Sequence, residues 1–541
     1  MPPQPPRYAA PRQLLARILD QPNLVAAIQA LPAPALGKLI DHVGLEDAGE
    51  IVALATTEQL KRIFDDDLWR SERPGKDESF DSGRFALWLE VMLEAGEEFA
   101  AQKLAELPED LVTLALHKNV LVINIEELAV AMSDRNSDDD GMTEKALESC
   151  LCEEMDAYRI ISRRHEGWDA ILSVLLALDH DHHDFLGRVL DHCCHMDAEY
   201  IEDNGGLYQV LTSDEMLESD VGSDREDRRA EEGFVAPSSA ASFLALARTT
   251  ELADIVATKE RDPVTHAYFR SLGGPSRAGP APTRVEVPVA ADAGEAAALV
   301  EILRDAEVLP SSAPMLLLPE RAGAFSPHEE GIFAQTMREL RAQAADTHDR
   351  RMQELAYLAN VLTAGCSIEG RNLRPLEAAR ATVAACNLGL EHLLQDQPAL
   401  ATAVAVLRRQ GADKLFRIGW HLFAEHVVLP AARALDNILT REALQQTDRD
   451  IVRRLHGAGR ALHSALAAGK PWTALGKLTA LEGDVDMATL TTLLALIDEC
   501  PSLRAELASH AGAEKTAASQ EFQFISTRRQ LRSVQAFLAK L

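Results

Sequence analysis

Between Leu24 and Trp69 apolar residues recur at intervals of three and four. Leu36, Leu39, Ile40 and Val43 fall at i, i+3, i+4 and i+7, one face of a helix that Pro32 and Pro34 open. Gly44 follows, where a left-handed C-cap is expected. A short helix through Glu50, Ile51, Val52 and Ala55 comes next, then a third carrying Leu60, Ile63, Phe64 and Leu68. Thr56 and Gln59 stand three apart ahead of it, the spacing of a capping box. None of these short helices can bury its apolar face alone, so each needs its neighbours. The pattern predicts a mostly α fold of α-solenoid-like helical repeats.

Pro74 and Gly75 interrupt this array, and Asp81 or Ser82 caps a longer helix with Phe85, Trp88, Leu89 and Met92. Leu107-Pro108 ahead of Leu111 echoes Leu31-Pro32 ahead of Leu36, offset by one residue. Ala157 to Ile161 is strand-like, so a small β-hairpin is expected in the middle segment, with its turn at Glu153–Asp156. Residues 271–293 are rich in Gly, Pro and Ala and read as a linker, with one short strand at Thr283–Pro288. Beyond Ser326 long helices return, marked by stripes such as Met352, Leu355, Ala359 and Leu362. The expected division is a Pro-rich tail over 1–11 and a helical repeat domain over 12–132. A middle segment over 133–270, the linker at 271–293 and a helical domain over 294–541 complete it.

Composition narrows the function more than the fold. With 54 basic and 85 acidic residues the net charge is −31, a field that repels nucleic acid and anionic lipid. No run of about 18 uncharged apolar residues exists, so no membrane insertion is expected. Seven cysteines, an odd number, without a secretory leader point to reduced thiols and a cytoplasmic location.

The densest chemistry lies in Asp179-His180-Asp181-His182-His183-Asp184 and Asp191-His192-Cys193-Cys194-His195. On one continuous helix His180, Asp184, Asp191 and His195 share a face, with His183 and Cys194 at its edge. Imidazole and thiolate at such spacing suit zinc. Cys150 and Cys152, two apart on a strand, would point the same way and supply further ligands. The candidate metal set is therefore Cys150, Cys152, His180, Asp184, Asp191, Cys194 and His195. A helix break near Asp181 would scatter it, and His182 reads as a packed histidine.

Weaker constellations have structural readings. Asn136-Ser137-Asp138-Asp139-Asp140-Gly141 resembles the first half of an EF-hand loop, but Leu147 stands where the closing Glu belongs. Asp65-Asp66-Asp67 reads as a solvated helix end. His421, Glu425 and His426 miss the HxxEH spacing by one residue. Asn360 and Asn387 lie near apolar stripes and are expected to bond between helices, and Cys366 reads as a small buried side chain. Arg528, Arg529 and Arg532 give the last helix a basic face that can dock on the acidic body or on an acidic partner. The sequence contains no GxSxG elbow and no GxGxxG after a strand; Gly512-Ala513-Glu514-Lys515-Thr516 resembles a P-loop only superficially.

Several segments resemble one bacterial family, domain-of-unknown-function family 6178. They are Val43-Gly44-Leu45-Glu46-Asp47-Ala48, Leu54-Ala55-Thr56, Glu58-Gln59-Leu60 and Asp67-Leu68-Trp69. Arg225-Glu226-Asp227-Arg228 with Gly233-Phe234, Leu358 to Leu362 with Ala364-Gly365-Cys366, and Cys386 to Glu391 extend the resemblance over most of the chain. It implies no activity. Residues 24–70 are more distantly similar to the helical cytosolic domain of MgtE-type magnesium channels and to flagellar motor switch repeats, which implies a superhelical shape.

The sequence therefore predicts a cytoplasmic helical scaffold or adaptor that binds other proteins. Two alternatives stand beside it: a metal-binding or metal-sensing protein using the His/Cys-rich segment, and an enzyme with a site between the helical halves that includes His421 and Glu425.

Overall fold

The computed structural model describes residues 11–21, 23–71, 75, 78–126, 150–201, 212–231, 233–258, 265–266, 269, 293–306, 308, 331–395, 399–481, 483–504 and 522–541. The tail, the Asn136–Gly141 loop, most of the linker with its expected strand at Thr283–Pro288, and Gly512–Thr516 lie outside them. Among the described residues the fold is mostly helical, with a few short antiparallel strand pairs and no closed sheet. Two compact units form. One draws on Met1–Arg70, Glu78–Arg228 and Thr283–Ala313, the other on Ser71–Asp77, Arg229–Pro282 and Pro314–Leu541.

In the first unit the short helices Ala33–Val43, Gly49–Val52 and Thr57–Asp67 follow the apolar pattern. Gly44 ends the first of them at φ +97° and ψ 135°, so it takes the positive φ but not the compact left-handed cap. The Thr56–Gln59 capping box forms. Gln59 does more than cap, because its amide also donates to the carbonyls of Ile28 (2.8 Å) and Leu31 (2.7 Å). Those bonds pin the third helix to the end of an earlier turn.

The Asp65–Asp67 run is not a solvated helix end. Asp65 is buried and receives Arg228 through two bonds of 2.8 and 2.7 Å. Asp67 accepts from Arg84 (2.7 Å) and from the Trp88 indole (2.6 Å). Arg225 lies over the Trp69 ring and bonds the Asp65 carbonyl. A bidentate guanidinium compensates the burial of a carboxylate, so the Arg225–Arg228 segment latches onto the early helices.

The expected hairpin is present, and it belongs to a larger sheet. Cys152–Met155 pairs antiparallel with Tyr158–Ser162, and the outer edge of the latter pairs with Val120–Asn124. The turn is tighter than the sequence suggested: two residues, with Asp156 at φ +50°. Val122, Met155 and Ile160 form its buried face.

The second unit is organised by one helix crossing. A Cβ on Gly389 would fall 2.0 Å from the Leu415 carbonyl oxygen, and one on Gly419 would fall 2.0 Å from that of Ala385. The helices Pro375–Leu394 and Ala412–Phe423 therefore meet backbone to backbone, with Phe416 and Trp420 stacked alongside. Asn387 ties the first of these helices to two other segments: its amide donates to Ser526 (2.6 Å) and its oxygen accepts from the Phe333 N–H (2.9 Å). Asn360 likewise donates to the Gly233 carbonyl at 2.6 Å. Both asparagines bond between elements, and Cys366 is buried. No helix of the described residues is long and apolar enough to cross a membrane.

Candidate functional site

The His/Cys-rich segment is split by a break. The helix Trp168–Asp181 ends at His182, whose φ of −138° leaves the helical range, and His183–Ile201 starts anew. His180 therefore sits on the first helix, and Asp184, Asp191, Cys194 and His195 sit on the second. Asp191 already accepts the Tyr158 hydroxyl at 2.6 Å. Burial, then that bond, pushes the phenol up to about 12.

The sheet separates the remaining expected ligands. Cys152 pairs with Ile161 and Tyr158 with Met155. Positions 152 and 155 differ by an odd number, so the pleat sends their side chains to opposite faces. Tyr158 faces Asp191, and Cys152 stands on the other face. Cys150 precedes the strand and is exposed. Cys193 is buried, its thiol donates to the Thr113 carbonyl, and burial pushes its pKa up. The structure thus spreads the seven expected residues over a helix end, a second helix, a strand and its approach.

A different group does converge. Asp156 at the hairpin turn, Asp179 near the end of one helix and His183 at the start of the next bring one ligand atom each to within 4.8 Å of one another. His183 Nδ1 is 2.9 Å from Asp179 and its Nε2 is 3.7 Å from Asp156. The bond to Asp179, then the Asp156 charge, raises the imidazole pKa. Its protonated form is a cation between two carboxylates, and its deprotonated form offers a nitrogen to a divalent metal.

Below the sheet lies a structural network. Asp197 accepts the Val122 N–H (2.9 Å) and Arg163 (2.5 Å). His117 Nδ1 is 3.4 Å from Asp197, but burial, then Arg163, lowers its pKa to about 4. It is therefore neutral at neutral pH, and the proximity is no ion pair.

In the second unit the helix carrying His421 runs into a π-helical segment, Ala424–Val428. Its wider turn brings two imidazoles to one carboxylate: Glu425 Oε2 lies 3.2 Å from His421 Nε2 and 3.8 Å from His426 Nε2.

The same unit presents an open, shallow cleft of about 530 Å³, lined by Arg449, Val452, Arg453, His456 and Arg460. All five lie on the helix Arg449–Ala467, which Asp448 caps through the Asp450 and Ile451 N–H groups. Its apolar positions Leu455, Ala458, Leu462 and Ala465 are buried, which turns the arginine stripe outward. Arg454, on the adjoining face, is neutralised by a bidentate bond to Asp484, 2.7 Å on each arm.

A family model described as "Family of unknown function (DUF6178)" matches residues 7–284, just over half of the chain. The chain belongs to that family. No curated protein and no solved structure matches it, and the likeness to MgtE-type channels and motor switch repeats stays an expectation from sequence. The DUF6178 match takes in the early helices, the sheet, the helix break and the Arg225–Arg228 latch. Leu358–Cys366 and Cys386–Glu391 lie beyond it.

Two groups escaped the sequence reading. In sequence Asp156 reads only as part of a turn, and its meeting with Asp179 and His183 depends on pairing across the hairpin. The cleft had a visible signal: basic residues at 449, 453, 456 and 460 fall at i, i+4, i+7 and i+11. The acidic balance of the whole chain concealed it.

Proposed function

We propose that this protein is an interaction module, a helical scaffold or adaptor of the cytoplasm that holds another protein on the outward face of the Arg449–Ala467 helix. One observation carries the reading: the open cleft there is lined by arginine and histidine around a single valine. Arginine is the side chain most suited to planar, bidentate recognition and is enriched at interfaces. All the lining residues lie on the exposed side of one helix, a surface that another chain can lie along.

The test uses the full chain as bait in an extract of its own cells, beside R449E/R453E/R460E. A partner that is recovered, purified and then bound by the wild type but not by the folded variant supports the reading. Equal binding to both contradicts it.

A second reading is favoured by the Asp156, Asp179 and His183 group: a divalent metal site at the hairpin turn and helix break. A carboxylate pair with one imidazole suits zinc or a similar ion. Zinc titration of wild type and H183A tests it. Equal binding by both removes His183 as a ligand.

A further inference from the structure

The cleft on the Arg449–Ala467 helix also identifies the chemistry of what occupies it. Arg449, Arg453, His456 and Arg460 span twelve residues of helix, about 16 Å at 1.5 Å per residue. Arg449 has no ion pair among the described residues. Arg453 has one, to exposed Asp450 at 3.2 Å, and Arg460 donates only to the His456 carbonyl, at 3.4 Å. Exposed pairs of that kind are weak and exchange readily. Among the described residues the cation row is therefore largely uncommitted, in a chain whose net charge is −31.

Length and composition together discriminate among anions. A small anion would engage one or two guanidinium groups and leave the rest of the row unused. Nucleic acid extends well past a row this short, into the field of a strongly acidic chain. A short acidic polypeptide avoids both problems. Carboxylates a turn apart match cations a turn apart, each guanidinium can take one bidentately, and Val452 between them meets an aliphatic side chain. Local complementarity acts within about 10 Å at ordinary ionic strength, so the cleft outweighs more distant acidic surface.

We infer that the Arg449–Arg460 face binds a linear acidic segment of a partner protein, one with glutamate or aspartate recurring at three- and four-residue spacing. The inference rests on the interaction reading above and adds the chemistry of the partner. Arg449, Arg453 and Arg460 hold the carboxylates, and Val452 supplies the apolar contact.

The experiment measures fluorescence anisotropy of a labelled twelve-residue polyglutamate on the full-length protein. A Gly/Ser peptide of the same length and a twelve-residue oligothymidylate serve as comparisons. The expected result is saturable binding of polyglutamate at low salt, weakened about tenfold in R449E/R453E and again by raising salt to about 300 mM. R449Q/R453Q, which removes charge without reversing it, should fall between. R409E, which changes an arginine on another helix, should bind as the wild type does.

No binding of polyglutamate, or binding that R449E/R453E leaves unchanged, overturns the inference. So does oligothymidylate binding of equal strength lost in the same variant, which would mark a general polyanion surface. If polyglutamate fails while a partner recovered from cells still depends on Arg449, Arg453 and Arg460, the acidic segment is wrong and the interaction reading stands.

Discussion

The phenol of Tyr158 donates to Asp191 across 2.6 Å, joining the second strand of the hairpin to the helix beyond the break. That contact occupies one of the residues the sequence offered as a metal ligand. It also holds the hairpin turn close to Asp179 and His183. The negative charge of Asp191 helps keep the phenol protonated, with burial contributing most, and the titration is pushed up to about 12. Phenolate absorbance against pH, compared between wild type and Asp191→Asn, should isolate Tyr158 as a late-titrating tyrosine. Asp191→Asn should return it towards the ordinary value near 10. An unchanged titration in that variant would remove Asp191 as a cause.

The metal reading makes a prediction that separates its two candidate ligand sets. Zinc binding, followed by calorimetry, should be lost in H183A and retained in C194S/H195A. Binding must displace the proton whose affinity Asp179 and Asp156 raise, so the apparent affinity should increase with pH through the His183 titration. The opposite outcome, loss only in C194S/H195A, would restore the Cys and His residues of the original segment.

His117 predicts an acid sensitivity. Its folded pKa, about 4, lies below the ordinary 6.5, so between these values the unfolded chain binds more protons. Stability should therefore rise with pH across that window and fall on acidification through it. Asp197 beside it, raised by burial, works in the other direction above its ordinary 3.8. The comparison that isolates the histidine is wild type against His117→Gln, melted at pH 7 and at pH 4.5. The variant should lose less on acidification, and an equal loss would assign the effect elsewhere.

Gly389 sits where the two central helices of the second unit touch. A methyl group there would meet the Leu415 carbonyl at 2.0 Å, so Gly389→Ala must force the helices apart. Overpacking of this kind typically costs about 1–3 kcal/mol, and backbone rather than a flexible side chain opposes it here. Thermal denaturation should show a clear drop in Tm. A variant as stable as the wild type would mean the crossing has room for a methyl group that a 2.0 Å approach denies it.

How far the sequence revealed this molecule depended on the range of each interaction. The Thr56–Gln59 cap and the Ala33–Val43 helix are settled within a few residues, and they read correctly. The hairpin was legible from β-branched residues near Ile160, but its turn was placed early because Glu153 and Glu154 look loop-like while pairing with Ile160 and Arg159. The third strand, Val120–Asn124, was missed since its partner lies more than thirty residues away. Asp65 looked solvated because the arginine that pairs with it, Arg228, comes from much later in the chain. The expected metal residues depend on the same kind of range: a single break at His182 divides one helix face between two helices.

A protein partner held on the outward face of the Arg449–Ala467 helix lies against Val452. The most direct test places a photo-reactive benzoylphenylalanine at Val452, in the middle of the cleft, and at exposed Leu176 as a control. Irradiation in the presence of the purified partner should yield a cross-linked product from position 452 and none from position 176. A product from position 176 with none from position 452 would rule out this face as the partner's site.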